Sequence, residues 1–116
     1  MDNEQSSAER RQKLERELAR YVTILREHSD SEKMIVFGSL VTGQVRAWSD
    51  IDLVIIEQTE LPFLRRLRRM RKLLQPQVGT DILVYTPQEF EQLCQERPFF
   101  QEEILAKGKV VYERSN

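Results

Sequence analysis

The chain has 116 residues, of which 40% are hydrophobic and 32% charged, and its formal net charge is -1. This length suits one domain, residues 1–116, with a single core, and it is too short for two. The nearly balanced charge provides no overall attraction to nucleic acid or to a membrane surface, so we do not expect nucleic acid to be a required partner.

Cysteine content and hydropathy further limit the class of protein and the compartment in which it works. Cys94 is the single cysteine, which excludes an intramolecular disulfide and disfavours a cysteine-built metal site. No run approaches the roughly 18 apolar residues of a membrane span, and the polar start MDNEQSSAERR lacks the apolar core of a secretory signal. We therefore expect a cytoplasmic protein that does not bind a membrane.

The first predicted element is an amphipathic helix. Residues 1–5 are polar and expected to be frayed, and Ser6-Ser7-Ala8-Glu9 fits a capping box that would begin the helix. The helix is predicted to run to about His28, the single histidine, which we place at the helix end rather than in a site. Apolar residues recur at spacings of four, three and four and predict one buried stripe, Leu14, Leu18, Tyr21 and Leu25.

Two strands and a tight turn are predicted next. Lys33–Phe37 is a short apolar run and the predicted central strand, ended by Gly38 and Ser39. Residues 40–42 predict a short helix that stops at Gly43, and residues 44–49 loop back. The run Ile51–Ile56 is almost continuously apolar, which is typical of a strand covered on both faces.

A basic helix follows. Residues 61–75 enter it through Pro62, and its predicted buried stripe is Phe63, Leu67, Met70 and Leu74. Its other face carries only basic charges: Arg65, Arg66, Arg68, Arg69, Arg71 and Lys72. We interpret this run as a solvated face in preference to a patch for phosphate or an acidic partner.

The last third of the chain repeats the alternation of strand and helix. Val78–Tyr85 predicts a third strand, and Thr86-Pro87-Gln88-Glu89 predicts a capped helix start. This helix would bury Phe90, Leu93 and Cys94, the last as a core residue rather than a nucleophile. After Arg97-Pro98, a short helix with Phe99, Phe100, Ile104 and Leu105 leads to Gly108 and an edge strand over 109–112. The fold class is α/β, a mixed sheet of about four strands flanked by helices.

Three carboxylates are the candidate site. Strand alternation places Asp50 and Asp52 on one face, and two adjacent like charges require a cation, for which oxygen ligands favour Mg²⁺ or Mn²⁺. Asp81, near the start of the next strand, would join them if the two strands are neighbours. Three such acids can hold two divalent ions for an in-line phosphoryl displacement. Gly38 would let a triphosphate approach the backbone, and Ser39 could donate to it.

The stretch GSLVTGQVRAWSDIDLVII resembles the signature of the DNA polymerase β-like nucleotidyltransferase superfamily: Gly-Ser, ten residues, Asp-x-Asp, and a further Asp on a later strand. The short length and the ending RPFFQEEILAKGKVVYE resemble its minimal nucleotidyltransferase branch. The resemblance implies a polymerase β-like fold and transfer of a nucleoside monophosphate, such as AMP from ATP or another NTP, to a hydroxyl. It implies that Gly38 and Ser39 bind the phosphates, that Asp50 and Asp52 bind two Mg²⁺ ions, and that Asp81 binds the catalytic metal and helps to deprotonate the hydroxyl.

The resemblance also suggests partners. Family members of this size are often antitoxins of HEPN-domain ribonucleases, and some transfer AMP to a tyrosine of that toxin. Alternatively, a second copy of the chain would complete the acceptor site. Many such antitoxins read Gly-Ser-Arg-x-Arg-Gly, whereas Leu40 and Thr42 stand at the arginine positions here, with Arg46 a candidate replacement.

Two further alternatives remain open. Trp48, the single tryptophan, could stack on a base, but we expect it to pack against the core. A second hypothesis for the whole protein is a binding module that neutralises a partner by contact and keeps only a vestigial metal site.

Overall fold

The protein, in a computed structural model that describes residues 3–115, is a four-stranded mixed sheet with helices on both faces. The predicted α/β class is confirmed. In chain order the elements are α1 (Asn3–His28), β1 (Lys33–Phe37), α2 (Ser39–Thr42), β2 (Ile51–Ile56), α3 (Phe63–Leu74), β3 (Thr80–Tyr85), α4 (Pro87–Glu96), the π-helical α5 (Phe100–Ala106) and β4 (Lys109–Glu113).

The strands are ordered β3-β2-β1-β4. β1 is antiparallel to β2 and to β4, whereas β2 and β3 are parallel because the helix α3 crosses over between them. β1 is therefore an inner strand and β4 an edge strand, as predicted. This topology places the end of β1 beside the starts of β2 and β3, which is where the candidate site lies.

Each face of the sheet has its own core. On one face Met34, Leu53 and Val84 belong to a cluster with residues of α1 and α3. On the other face Ile35 and Val54 cluster with Phe100 and Ile104 of α5. Because β2 is buried on both faces, its sequence shows almost no polar alternation.

The helix α1 begins earlier than predicted. It starts at Asn3, so the capping box at Ser6–Glu9 was wrong: these residues lie inside the helix. Residues 3–5 contain no helix breaker, and Glu and Gln have good helix propensity. Of the predicted frayed segment, residues 1–2 lie outside the described residues. The buried stripe is confirmed by Leu14, Tyr21 and Leu25. His28 is the last, exposed residue of the helix.

Glu17 attaches α1 to the loop between α3 and β3. It is only 6% exposed, and its carboxylate accepts two hydrogen bonds from Arg20, both at 2.8 Å, and one from the Gln77 amide at 2.6 Å. These hydrogen bonds lower the pKa of Glu17 to about 2, with the Arg20 bond as the largest cause. Nearby, the Tyr21 hydroxyl is hydrogen-bonded to Thr80 at 2.8 Å.

The interpretation of the basic run on α3 as a solvated face was wrong for one of its six members, Arg66, although two of the exposed members also bind neighbouring groups. Arg66 is 8% exposed and pairs with Glu89 at 2.6 Å. Arg69 pairs with buried Glu57 at 2.6 Å, and Arg71 donates both terminal nitrogens to the Thr80 carbonyl oxygen. Long side chains on a crossover helix reach the adjacent strand ends and helix start, which period counting does not reveal. The other five members of the run are exposed, as predicted: Arg65, Arg68, Arg69, Arg71 and Lys72.

The remaining helices differ from prediction in burial. The capping box of α4 is confirmed: Glu89 N donates to Thr86 Oγ1, and Thr86 N donates to the Glu89 carboxylate. Phe90, Leu93 and Cys94 are partly rather than fully buried, and Phe63, Phe99 and Leu105 are exposed. Burial raises the pKa of the Cys94 thiol, in keeping with a packing role. Among residues 3–115 no helix is both long and apolar enough to cross a bilayer.

Candidate active site

The site begins with a turn that only glycine adopts readily. β1 ends at Phe37, and Gly38 follows with φ 76° and ψ -148°. Its carbonyl oxygen accepts hydrogen bonds from Val41 N and Thr42 N, which close the four-residue helix α2. Gly43, with φ 82°, ends that helix by donating to the Ser39 carbonyl oxygen. Two glycines thus set the position of Ser39 directly after the strand.

Asp52 and Asp81 are brought together by strand pairing. They are register partners in the parallel pair β2–β3, so both carboxylates project from the same face of the sheet. On the other side of Asp52 its partner is Phe37, the last residue of β1. The alternation within β2 and β3 was predicted correctly, and Leu53 and Ile82 point to the opposite face with the core of α1 and α3.

The environment of Asp52 favours its neutral form. Burial is the largest cause, followed by the charge of Asp81 and a hydrogen bond with it, and then by the charge of Asp50, and together they raise the pKa of Asp52 to about 6. A carboxylate that is desolvated and repelled by a second carboxylate is stabilised by a cation. The electrostatics of the pair therefore favour a bound positive charge.

Asp50 lies to one side of this pair. It precedes β2, its side chain is 50% exposed, and its Oδ1 is 3.4 Å from Nη2 of Arg10 in α1. Arg10 Nε also donates to the Ser49 carbonyl oxygen at 2.8 Å. The charge of Asp50 contributes to the raised pKa of Asp52, but its carboxylate contacts α1, and the three carboxylates do not converge. Asp50 would have to turn from Arg10 towards Asp52 to join it.

Two glycines make room for the acids. A Cβ built on Gly38 would collide with Asp52 Oδ2, and a Cβ on Gly79 would lie 2.6 Å from Asp50 Cγ. Gly79 precedes β3, and its carbonyl oxygen accepts from Ile51 N at 3.0 Å, so it lies beside Asp50 in the same way that Asp81 lies beside Asp52. The predicted phosphate role of Gly38 is thus accompanied by a second, steric role that Gly79 shares.

The loop between α2 and β2 carries an exposed aromatic ring. Trp48 is 77% exposed, so the expected packing against the core was wrong. It lies in a tight turn in which Ser49 N donates to the Arg46 carbonyl oxygen and Arg46 N donates to Ser49 Oγ. Because the chain turns here before it enters β2 at Ile51, the ring is left in solvent. Arg46 is exposed as well.

An aromatic side chain lies near the carboxylates on the same face. The Phe99 ring contacts Phe37 edge to face, with ring centroids 5.9 Å apart, and Phe37 is the register partner of Asp52. Phe99 is half exposed, whereas the next residue, Phe100, is buried. Sequence reasoning placed both in the last helix and did not predict this neighbour of the site.

Cavities do not locate the site. A cavity of about 590 Å³ is lined by residues that include Lys33, Ile56 and Glu113, which lie at the strand ends remote from Asp52. A smaller one of about 200 Å³ is lined by Arg71, Thr80 and Asp81. The chemistry of the carboxylates, rather than cavity size, identifies the candidate site.

The donor set fits a hard divalent cation at the Asp52–Asp81 pair. Both residues have carboxylate oxygens, which hard cations prefer, and burial followed by the charge of Asp81 raises the pKa of Asp52. Within residues 3–115, however, no three acidic, histidine or cysteine side chains are grouped closely enough to hold an ion. Asp52 and Asp81 are therefore the part of the predicted donor set that lies together, and a three-acid site would require Asp50 to turn towards them.

Comparison with known proteins places this arrangement in a family. Residues 19–116 match the family model described as polymerase beta, nucleotidyltransferase. The chain therefore belongs to the polymerase β-like nucleotidyltransferases, and it has their fold. No curated protein sequence gives a significant match.

Two solved structures share the fold. A candidate nucleotidyltransferase from Sulfolobus solfataricus aligns with a TM-score of 0.68 and 16% identity, over 94% of this chain and 88% of that chain. A chain of a toxin–antitoxin structure with AMP-PNP aligns with a TM-score of 0.52 and 18% identity, over 84% of this chain and 73% of that chain.

Proposed function

We propose that residues 1–116 form a single minimal nucleotidyltransferase domain that, with Mg²⁺, transfers a nucleoside monophosphate to a hydroxyl of a protein or small-molecule acceptor. ATP, giving AMP, is the proposed donor. The observation that carries the proposal is the pairing of Asp52 with Asp81 beside the Gly38 turn, in a chain of this family.

In the proposed reaction the acceptor oxygen attacks the α-phosphorus, the bond from that phosphorus to the bridging oxygen breaks, and pyrophosphate leaves. Asp50, Asp52 and Asp81 would hold Mg²⁺, which, when bound, stabilises charge on the attacking and leaving oxygens. Gly38 leaves space for the phosphates, and the Ser39 hydroxyl donates to them. Asp81, at the more exposed side of the pair, takes the proton of the acceptor hydroxyl.

The proposed acceptor is presented by a second polypeptide. The acids lie at the starts of β2 and β3, where Asp50 is half exposed and the ring of Trp48, in the loop before Asp50, is 77% exposed. One structure with this fold is a toxin–antitoxin with AMP-PNP. We therefore propose a HEPN-type ribonuclease toxin as the partner, modified on a hydroxyl side chain, with a second copy of this chain as the alternative source of the acceptor.

One observation favours a second candidate function. The helix that follows Gly38 carries no cation: Leu40 and Val41 pack against the core, and Thr42 is an exposed neutral residue. A phosphate site without positive charge on this helix suits a protein that has lost catalysis and neutralises its partner by contact alone.

The position of the label distinguishes nucleotidyl transfer from other ATP chemistry. The protein is incubated with Mg²⁺, its partner and ATP labelled at either the α- or the γ-phosphate. We expect acceptor labelling from α-labelled ATP only, because the γ-phosphate leaves with pyrophosphate. Labelling from γ-labelled ATP, or from neither, would contradict the proposal, and a parallel series with GTP, CTP and UTP identifies the donor.

An experiment in cells distinguishes neutralisation of the partner by contact from neutralisation by catalysis. A variant with Asp50, Asp52 and Asp81 all changed to Asn keeps the surface but loses the charges of the site. If this variant still silences the partner, contact is sufficient and the second candidate function holds. If silencing is lost while the two proteins still co-purify, catalysis is required.

A further inference from the structure

Arg10 holds a position next to the site that sequence reasoning missed. Its guanidinium makes two contacts of different quality: Nε donates to the Ser49 carbonyl oxygen at 2.8 Å, and Nη2 is 3.4 Å from Asp50 Oδ1. The Arg10 side chain is 19% exposed and that of Asp50 is 50% exposed. The short bond is to the backbone, and the long one is to the carboxylate.

These contacts allow one partner of Arg10 to change while the other remains. A half-exposed ion pair at 3.4 Å contributes little to stability, because water screens it. The Nε bond to Ser49 holds the guanidinium in place independently of Asp50. Nη2 can therefore exchange the carboxylate for another anion without movement of the arginine backbone.

A nucleoside triphosphate at this site would need a cation from outside α2. Residues Ser39–Thr42 have none, and Arg46 in the next loop is exposed and bonds to Ser49 through its backbone only. On α3 the guanidinium groups of Arg66, Arg69 and Arg71 are already bound to Glu89, Glu57 and the Thr80 carbonyl oxygen. The helix α1 runs past this region: Nη2 of Arg11 would be 4.0 Å from a Cβ on Gly43, at the end of α2. Arg10 is the α1 cation in contact with a site carboxylate.

We propose that Arg10 is a nucleotide-binding residue. When Asp50 turns to a divalent cation, Nη2 of Arg10 releases it and donates to a phosphate oxygen of the triphosphate, while Nε stays on Ser49. Arg10 thereby supplies the positive charge that α2 lacks. The proposal rests on the proposed function, and it concerns a residue outside the part of the chain, 19–116, that matches the family model.

The test compares binding of two probes, AMP-PNP with Mg²⁺ and Mn²⁺ alone, by calorimetry. For Arg10→Gln we expect AMP-PNP to bind about tenfold more weakly, the usual effect of losing a charge-assisted hydrogen bond. Mn²⁺ alone should bind as tightly as to the wild type or more tightly, because Asp50 loses its competing partner. Arg10→Lys should be intermediate in AMP-PNP affinity, since a lysine keeps the charge but cannot bind Ser49 and phosphate together. Arg16→Gln, an exposed arginine on the same helix, should bind both probes like the wild type.

Unchanged AMP-PNP affinity in Arg10→Gln would overturn the proposal. So would a parallel loss of Mn²⁺ binding, because Arg10 would then only orient Asp50. Retained Mn²⁺ binding also shows that the variant is folded at the site. If the wild type binds Mn²⁺ but not AMP-PNP, this inference fails while the metal site stands. If it binds neither probe, the proposed function fails with it.

Discussion

Asp81 lies directly beside Asp52 because β2 and β3 run parallel in a register that pairs these two residues. Most of the negative charge of the site is thus concentrated at one strand pair, and burial adds to the repulsion between the two carboxylates. The fold holds them together at a cost in stability, and a bound divalent cation would remove that cost.

The first prediction concerns pH and Asp52. Its pKa is about 6 in the folded protein against a usual value of 3.8, so the protonated form is favoured by folding. Without divalent metal, the free energy of unfolding contributed by this group should fall as pH rises from about 4 to 6 and then level off. The pKa difference corresponds to about 3 kcal/mol, which solvent screening of the partly exposed carboxylate reduces to about 2 kcal/mol. Urea unfolding in EDTA measures it, and Asp52→Asn should lack this component.

Mg²⁺ should offset the loss of stability that ionisation of Asp52 causes at higher pH. Because a cation competes with the proton for the same carboxylate, added Mg²⁺ should raise the melting temperature more at pH 7 than at pH 5. Asp30→Asn, a change at an exposed acid outside the site, should show the wild-type response. An equal Mg²⁺ effect at both pH values, or none, would count against a metal site at this pair.

The second prediction separates backbone strain from crowding at three glycines. Gly38 has positive φ and no space beside Asp52, and Gly79 has no space beside Asp50 but ordinary φ. Gly43 has positive φ, and a Cβ there would meet only Arg11 Nη2, at an uncrowded 4.0 Å. Gly43→Ala should lower the free energy of unfolding by about 1 kcal/mol and keep Mn²⁺ affinity. Gly79→Ala should weaken Mn²⁺ binding. Gly38→Ala should lower the free energy of unfolding and also weaken Mn²⁺ binding.

Urea unfolding and Mn²⁺ titration on the same three preparations provide the data for the glycine series. The informative comparison is between Gly43→Ala, which introduces backbone strain alone, and Gly79→Ala, which crowds a carboxylate without backbone strain. If Gly43→Ala weakened Mn²⁺ binding as much as Gly79→Ala, crowding of the acids would not explain the need for glycine beside them.

The third prediction concerns Glu17, which holds α1 against the loop before β3. Its pKa is lowered to about 2 from 4.5, so its contribution to stability is present above pH 4.5 and is lost as pH falls towards 2. We expect Glu17→Gln to cost about 3 kcal/mol at pH 7 and progressively less below pH 4.5. Glu15→Gln, which removes an exposed partner of Arg11, should cost under about 1 kcal/mol. A pH-independent loss would assign the effect of Glu17 to packing.

Period-two and helical patterns predicted the elements and the acids but not the long-range contacts. The sides on which Asp52 and Asp81 project follow from strand alternation, which is local. Arg10 is forty positions from Asp50, and nothing in the amphipathic pattern of α1 marks it as different from Arg11 or Arg16. Gly79 falls within the predicted third strand, Val78–Tyr85, and no local pattern marks it, because its role depends on the register with β2.

The errors have a common physical reason. Trp48 is apolar enough to suggest core packing, yet the tight turn from Arg46 to Ser49 leaves it exposed. Arg66 is charged enough to suggest solvent, yet it is buried against Glu89, which also caps α4. In both cases a tertiary constraint overrides the preference of the residue type.

If Asp52 takes part in nucleotidyl transfer, labelling of the acceptor by α-labelled ATP should depend on its carboxylate, and Asp52→Asn tests this. We expect the rate to fall by on the order of 1,000-fold, because the loss of a metal ligand removes several kcal/mol of transition-state stabilisation. The variant should remain folded, with a free energy of unfolding at pH 7 at least equal to that of the wild type, and Asp30→Asn should label normally. Labelling by Asp52→Asn at the wild-type rate would contradict the account.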